Sequence, residues 1–344
     1  KILSLQFSSP FTYLFNPIKN ARKAKEGVCS VDEVGIQSID EKTLAIDLEY
    51  ATSEFLELLA LPLFSPIHHK LDKTHPDWGY RKGENFICNG PFILKNVLQS
   101  SRHELVKNPY YWDRDRVRLE QIQISQDTSL VAHSMFKNEE IDWLGMPLRP
   151  WEPFFDSHPE AKTFNSLPDI HWCMFNTEKF PFSNIKLRKA FLMAVDQELL
   201  AKKLSKTCFA ATSPLPLSHT MNHNPENTRR NPELAIELFK EALSELGITT
   251  KQFPLVTLTF THTILRKQTA DYLVDRWKTL FNIPCRSEWY EYWPFCQKML
   301  KSDFQIATLH WKSWIDHPLY TLKPFKYSNE IVNCAHWHNE KYTK

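Results

Sequence analysis

Strand-like and helix-like runs alternate along all 344 residues, and this alternation limits the chain to an α/β or α+β architecture. Val34-Gly35-Ile36-Gln37-Ser38-Ile39 and Thr43-Leu44-Ala45-Ile46-Asp47-Leu48 flank the charged turn Asp40-Glu41-Lys42, the pattern of a β-hairpin. Glu54 to Leu61 reads as a short helix, and Pro62, Pro66 and the pair His68-His69 mark a break. Phe92-Ile93-Leu94, His103 to Lys107 and Leu119 to Ser125 read as three strands of one sheet. Asp127 to Phe136 then reads as a helix and Ile141-Asp142-Trp143 as a short strand.

The second half is richer in helix. Ile185 to Leu204 carries Ala190, Phe191, Ala194, Val195 and Leu199 near helical spacing. Asn231 is placed to cap a helix beginning at Pro232. Its stripe of Ala235, Leu238, Phe239, Ala242, Leu243 and Leu246 stops at Gly247. Lys267 to Leu280 is a further helix, and Trp311 to Pro318 reads as a strand end running into a loop.

A chain of this length buries a sizeable core and favours two domains over one. The formal net charge of +2 is too balanced for a nucleic-acid or acidic-membrane partner. No run of about 18 apolar residues occurs, so no transmembrane helix is expected. The start, Lys1 to Phe7, lacks a full signal-peptide pattern, as a truncated or processed terminus would. Seven cysteines without a C-x-x-C pair argue against zinc-ribbon and thioredoxin readings, and leave the compartment undecided. The nucleotide-binding and hydrolase signatures with a fixed spacing are absent. His336-x-His338 and His68-His69 lack a third and fourth ligand, so neither metal nor cofactor is expected.

Two stretches resemble the oligopeptide- and dipeptide-binding family of bacterial extracellular solute-binding proteins, family 5. The first is Asn89-Gly90-Pro91-Phe92-Ile93-Leu94-Lys95 with Leu105-Val106-Lys107-Asn108-Pro109-Tyr110-Tyr111-Trp112-Asp113. The second runs from Phe175-Asn176-Thr177 through Pro181-Phe182 and Ile185-Lys186-Leu187-Arg188-Lys189-Ala190 to Ala194-Val195-Asp196. Each motif alone has a structural explanation, a turn with rings packed on a sheet. Their order is what resembles the family. The usual stretch near the family's N-terminus is unmatched and members run on beyond Lys344, so the chain is expected to be a fragment lacking both ends.

The resemblance implies a two-lobed α/β fold of the periplasmic-binding-protein type, with mixed sheets flanked by helices and an interlobe cleft. Residues 1–66 would be the remainder of a small lobe, 67–168 part of the first major lobe and 169–344 most of the second. The implied function is capture of oligopeptides for a membrane permease of an ABC importer, without catalysis, by a periplasmic monomer with room for a lipid anchor. Another ligand on the same fold (nickel, haem or a cell-wall peptide) is the alternative. A hydrolase built around Asp316 and His317, or a surface protein that has lost its cleft, are the other classes open.

In the family a segment similar to Leu309-His310-Trp311-Lys312-Ser313-Trp314-Ile315-Asp316-His317-Pro318 lies at the cleft, where its strand pairs with the peptide and an acid meets the peptide's amine. Here Trp314 occupies that acid's place and Lys312 stands where a cross-lobe disulfide would need a cysteine, so no disulfide is expected there. His310, Trp311, Trp314 and Asp316 are therefore the expected ligand contacts, with Trp311 lining the cleft and Asp316 near its rim. Tyr292 and Trp293, in a region the family uses near its cleft, join them; packing between a strand and the next helix is the competing role for these two.

Overall fold

A computed structural model describes residues 1–7, 9–76, 78, 87–98, 102–127, 129–144, 169–204, 208–211, 213–216, 229–328, 330 and 332–343. The chain divides into two compact units, one of Lys1–Leu63 with Ser166–Lys344 and one of Phe64–Asn165. The first 63 residues thus belong to one unit with residues 166–344.

In residues 1–63, helix α1 (Ala21–Lys25) precedes the hairpin of β1 (Ile36–Ser38) and β2 (Leu44–Ile46), with Gln37 opposite Ala45. Asp40 makes the turn: its carboxylate accepts from the Lys42 N–H and the Thr43 hydroxyl. Helix α2 (Phe55–Leu59) follows and buries Phe55 and Leu58.

The unit of residues 64–165 opens with α3 (His69–Thr74). The break expected at His68-His69 is a helix start, where His68 Nδ1 accepts from the Leu71 N–H at 3.2 Å. Strands β3 (Phe92–Leu98), β4 (Arg102–Lys107) and β5 (Gln121–Ser125) form one antiparallel sheet in the order β3-β4-β5, as expected. Asn108 fixes its corner, donating to the Gly90 carbonyl and accepting from the Tyr110 N–H. Helix α4 (Ser129–Lys137) closes with Glu139 in the left-handed region at φ 58°. Ile141-Asp142-Trp143 is irregular chain, contrary to the strand expected there, because no neighbouring edge among the described residues pairs with it.

The remainder is built on a four-stranded mixed sheet of β6 (Asp169–Phe175), β7 (Val256–Thr261), β8 (Cys285–Tyr290) and β9 (Ile306–Lys312), in the order β6-β9-β7-β8. β6 runs antiparallel to β9, whereas β7 runs parallel to both β9 and β8. The single helix expected over Ile185–Leu204 is two, α5 (Ile185–Met193) and α6 (Gln197–Leu204). Asp196 breaks it by capping the second, its Oδ1 accepting from the Leu199 N–H at 2.8 Å. Helix α7 (Pro232–Leu246) has the expected ends: Asn231 Oδ1 accepts from the Leu234 N–H and Gly247 takes a left-handed φ of 64°.

Helices α8 (Ile264–Phe281), α9 (Tyr292–Leu300), α10 (Pro318–Leu322) and the short α11 (Glu340–Thr343) complete this part among the described residues. The larger core packs Phe191, Phe239, Trp277 and Phe281 against Val256, Leu258 and Phe260. Trp277 is fully buried, and its Nε1 donates to the Phe191 carbonyl at 2.9 Å. A second core, under the other side of the sheet, joins Met174 and Ala307 to Phe295, Met299 and Phe304.

Candidate functional site

Because β7, β8 and β9 are parallel, their carboxyl ends emerge together, beside the start of the antiparallel β6. In open α/β sheets this end is where ligands are held. It gathers His310 and Trp311 near the end of β9, Trp314 and Asp316 in the loop beyond, and Tyr292 and Trp293 in the first turn of α9, directly after β8.

β9 is paired unequally on its two sides. All seven of its residues pair with β6, from Phe175↔Ile306 to Asp169↔Lys312. β7 pairs only at Leu258↔Ile306 and Thr259↔Ala307. Thr308 to Lys312 therefore has ladder partners on one side alone among the described residues, and its other edge can receive an extended chain.

Side-chain alternation sorts the residues at this end into two groups. On one face Trp311 stacks on Trp172, ring centres 5.2 Å apart and planes at 17°, and Trp172 meets Phe325 edge-on at 5.1 Å. Trp172 Nε1 donates to the Pro214 carbonyl, whereas the buried Trp311 Nε1 has no hydrogen-bond partner among the described residues. On the other face stand Asp169 and His171 of β6 opposite Lys312 and His310 of β9. His310 Nε2 lies 2.7 Å from Asp169 Oδ2, and the His171 and His310 rings are 4.8 Å apart. The hydrogen bond to His310 is the main cause holding the Asp169 carboxyl below its ordinary range; partial burial acts against it, and the charges of His310, His171 and Lys312 reinforce it.

The loop after β9 alternates inward and outward. Ser313 is buried and its hydroxyl donates to the Ile315 carbonyl at 2.6 Å, and Ile315 is buried in turn. Trp314 and Asp316 are thereby turned outward. Trp314 meets Phe11 edge-on at 5.0 Å. His317 Nδ1 accepts from the Leu319 N–H and starts α10, so this ring serves the fold. Tyr292 and Trp293 are exposed, with rings 5.5 Å apart.

Sequence reasoning missed Asp169, His171, Trp172 and Phe325. Their link to β9 depends on strand register, and 141 residues separate Asp169 from His310. The described cysteines are free thiols; Cys173 lies opposite Thr308, and no sulfur joins the two strands. Among the described residues no group of three or more His, Cys, Asp or Glu side chains is placed to hold a metal ion. No described helix is long and apolar enough to cross a membrane.

The family model described as bacterial extracellular solute-binding proteins, family 5, matches residues 6–333. The oligopeptide-binding protein OppA of Bacillus subtilis is 27% identical over 350 residues, covering 98% of this chain and 63% of that protein. The probable deoxycholate-binding periplasmic protein YgiS of Escherichia coli is 24% identical over 340 residues, covering 97% of this chain and 63% of that protein. The structure of Listeria monocytogenes OppA bound to peptide superposes with a TM-score of 0.81 at 21% identity, covering 99% of this chain and 69% of that one. The fold is thus the α/β fold of the periplasmic binding proteins, with mixed sheets and flanking helices. The chain spans about 63% of the length of the curated relatives it matches.

Proposed function

The chain belongs to the bacterial extracellular solute-binding proteins of family 5, and we propose that it carries the ligand-capturing elements of the substrate-binding component of an ABC peptide importer. The observation that carries this reading is the one-sided pairing of Thr308–Lys312. A peptide main chain has the donors and acceptors to add to that edge, and main-chain pairing tolerates varied side chains. Trp311 on β9, Trp314 and Asp316 beyond it, and Tyr292 and Trp293 after β8 would supply the walls around such a strand. His310, held by Asp169, would stand along it.

The reading assigns no catalysis. His317, the base a hydrolase would need beside Asp316, is engaged in capping α10. The remaining assignments are a permease in the membrane as partner, a periplasmic location with or without a lipid anchor, and a monomeric state. Mass spectrometry of ligands released from the purified protein tests the reading. Peptides of mixed sequence are expected. A single bile-acid-like compound would overturn it in favour of the ligand named for the Escherichia coli relative.

A further inference from the structure

A pocket of about 240 Å³ lies between α1, the chain after β2 and the segment after α10, and none of the residues gathered at the sheet end lines it. Four cationic side chains line it, those of Arg22, Lys23, Lys323 and Lys326, against one carboxylate, Glu49, for a formal charge of +3. Glu49 is already committed, its Oε2 accepting from the Asn20 N–H at 3.0 Å.

Three of the cations lie over aromatic rings, Lys326 Nζ at 5.5 Å from the Tyr327 ring centre among them. The Arg22 guanidinium lies 3.4 Å over the Tyr327 ring, and its Nε is tied to Glu26 at 2.8 Å. Its Nη groups donate no hydrogen bond among the described residues. Lys323 Nζ donates to the Tyr50 hydroxyl at 3.0 Å and lies near the Tyr50 and Tyr320 rings, with no carboxylate within ion-pair distance among the described residues. Burial pushes the Lys323 ammonium down to about 8, and the more distant Glu54 and Glu330 charges only partly oppose that shift. Cation–π contact offsets part of the desolvation of such a group. It supplies no counter-charge, and a desolvated cation gains most from an anion that touches it.

From this geometry we infer that the pocket is a second binding site, for a small, multiply charged oxyanion of the phosphate class held by Lys323, Arg22, Lys23 and Lys326. With Glu26 paired to Arg22, the lining and this partner carry a formal +2; a single carboxylate would leave half of it unanswered, whereas a phosphate dianion matches it and has acceptors for all four cations. This site does not depend on peptide capture and stands or falls without it.

Calorimetry with inorganic phosphate, with glycerol phosphate and with chloride at matched ionic strength tests the inference. One saturable phosphate site is expected, with no heat from chloride beyond dilution. Tighter glycerol phosphate would make an esterified phosphate the preferred source, and tighter inorganic phosphate the free ion. Lys323→Met should weaken binding at least about tenfold. The double variant Lys23→Gln/Lys326→Gln should weaken it several-fold, and decides the matter if Lys323→Met fails to fold by circular dichroism. Absence of saturation in the wild type, or unchanged affinity in the folded variants, would overturn the proposal.

Discussion

His310 Nε2 and Asp169 Oδ2 lie 2.7 Å apart across the β6–β9 pairing, diagonal neighbours two residues out of direct register on the sheet's polar face. Asp169 pairs directly with Lys312, and His310 with His171. The carboxylate thus takes one specific hydrogen bond while the Lys312 ammonium stands nearby, at the end of the sheet where the expected ligand contacts gather.

This arrangement makes the stability of the sheet end depend on pH. The folded pKa of Asp169 is depressed, chiefly by the His310 hydrogen bond. Its contribution is therefore complete above the unfolded carboxylate value, about 3.9. It is lost as pH falls through the lower folded value. Asp169→Asn should lower stability near neutral pH and make no difference in strong acid. With the Asp169 side chain 45% exposed, screening limits the effect to about 1 kcal/mol or less. Urea unfolding of both proteins across the acid range checks this; a gap that persists unchanged at the acid end would break the link.

Trp311 separates stability from binding. Its ring stacks on Trp172, but its buried Nε1 has no partner among the described residues. Trp311→Phe retains a ring and removes a desolvated donor, so stability should change by less than about 1 kcal/mol. Peptide affinity should fall if the indole N–H and ring face the ligand. Thermal unfolding and calorimetry on the same variant read the two effects. Equal losses in both would assign Trp311 to packing alone.

The ends of α7 give a cleaner stability test. Asn231→Ala removes the acceptor for the Leu234 N–H and should cost about 1 kcal/mol. Gly247→Ala meets no atom within 4 Å, so its cost comes from the left-handed φ of 64° alone, also about 1 kcal/mol. The ends are a helix length apart, so the double variant should lose the sum in urea unfolding. A double variant no worse than either single one would mean that α7 frays before the unit unfolds.

These caps were readable because capping chemistry is local: Asn231, Pro232 and Gly247 carry it within one helix. The three strands around Asn89–Ser125 were readable for the same reason, since antiparallel neighbours follow one another in the chain. The order β6-β9-β7-β8 was not, because it brings residues near 170 beside residues near 310. Asp169–His310 and Trp172–Trp311 inherit that limit, being products of register. The split at Asp196 was missed because apolar spacing continues through it, while a side-chain cap interrupts the backbone.

Burial predicts which thiols resist modification. Cys173 and Cys285 are each pushed up to about 12 by desolvation, and alkylation requires the thiolate. Both should stay unmodified by iodoacetamide at mildly alkaline pH and react once urea unfolds the chain. Peptide mapping by mass spectrometry reads each site separately. Prompt labelling of Cys173 in the folded protein would contradict its packing against the larger core.

Trp314 sets the last expectation. The resemblance places an amine-binding acid at this position, and here the position carries an indole turned outward against Phe11. Asp316, the next acid along, is exposed beyond the buried Ile315. A buried ammonium needs a carboxylate that is also withdrawn from water, or the pair gains little over its hydration. Peptide capture at the Thr308–Lys312 edge should then rest on main-chain pairing and aromatic walls, with weak dependence on a free amino terminus. Calorimetry with one peptide and its N-acetylated form measures that dependence. A loss above about 2 kcal/mol on acetylation, the scale of truncating a buried hydrogen-bonded charge pair, would establish a carboxylate anchor. Asp316→Asn would then be the first variant to test, with Asp169→Asn as its comparison.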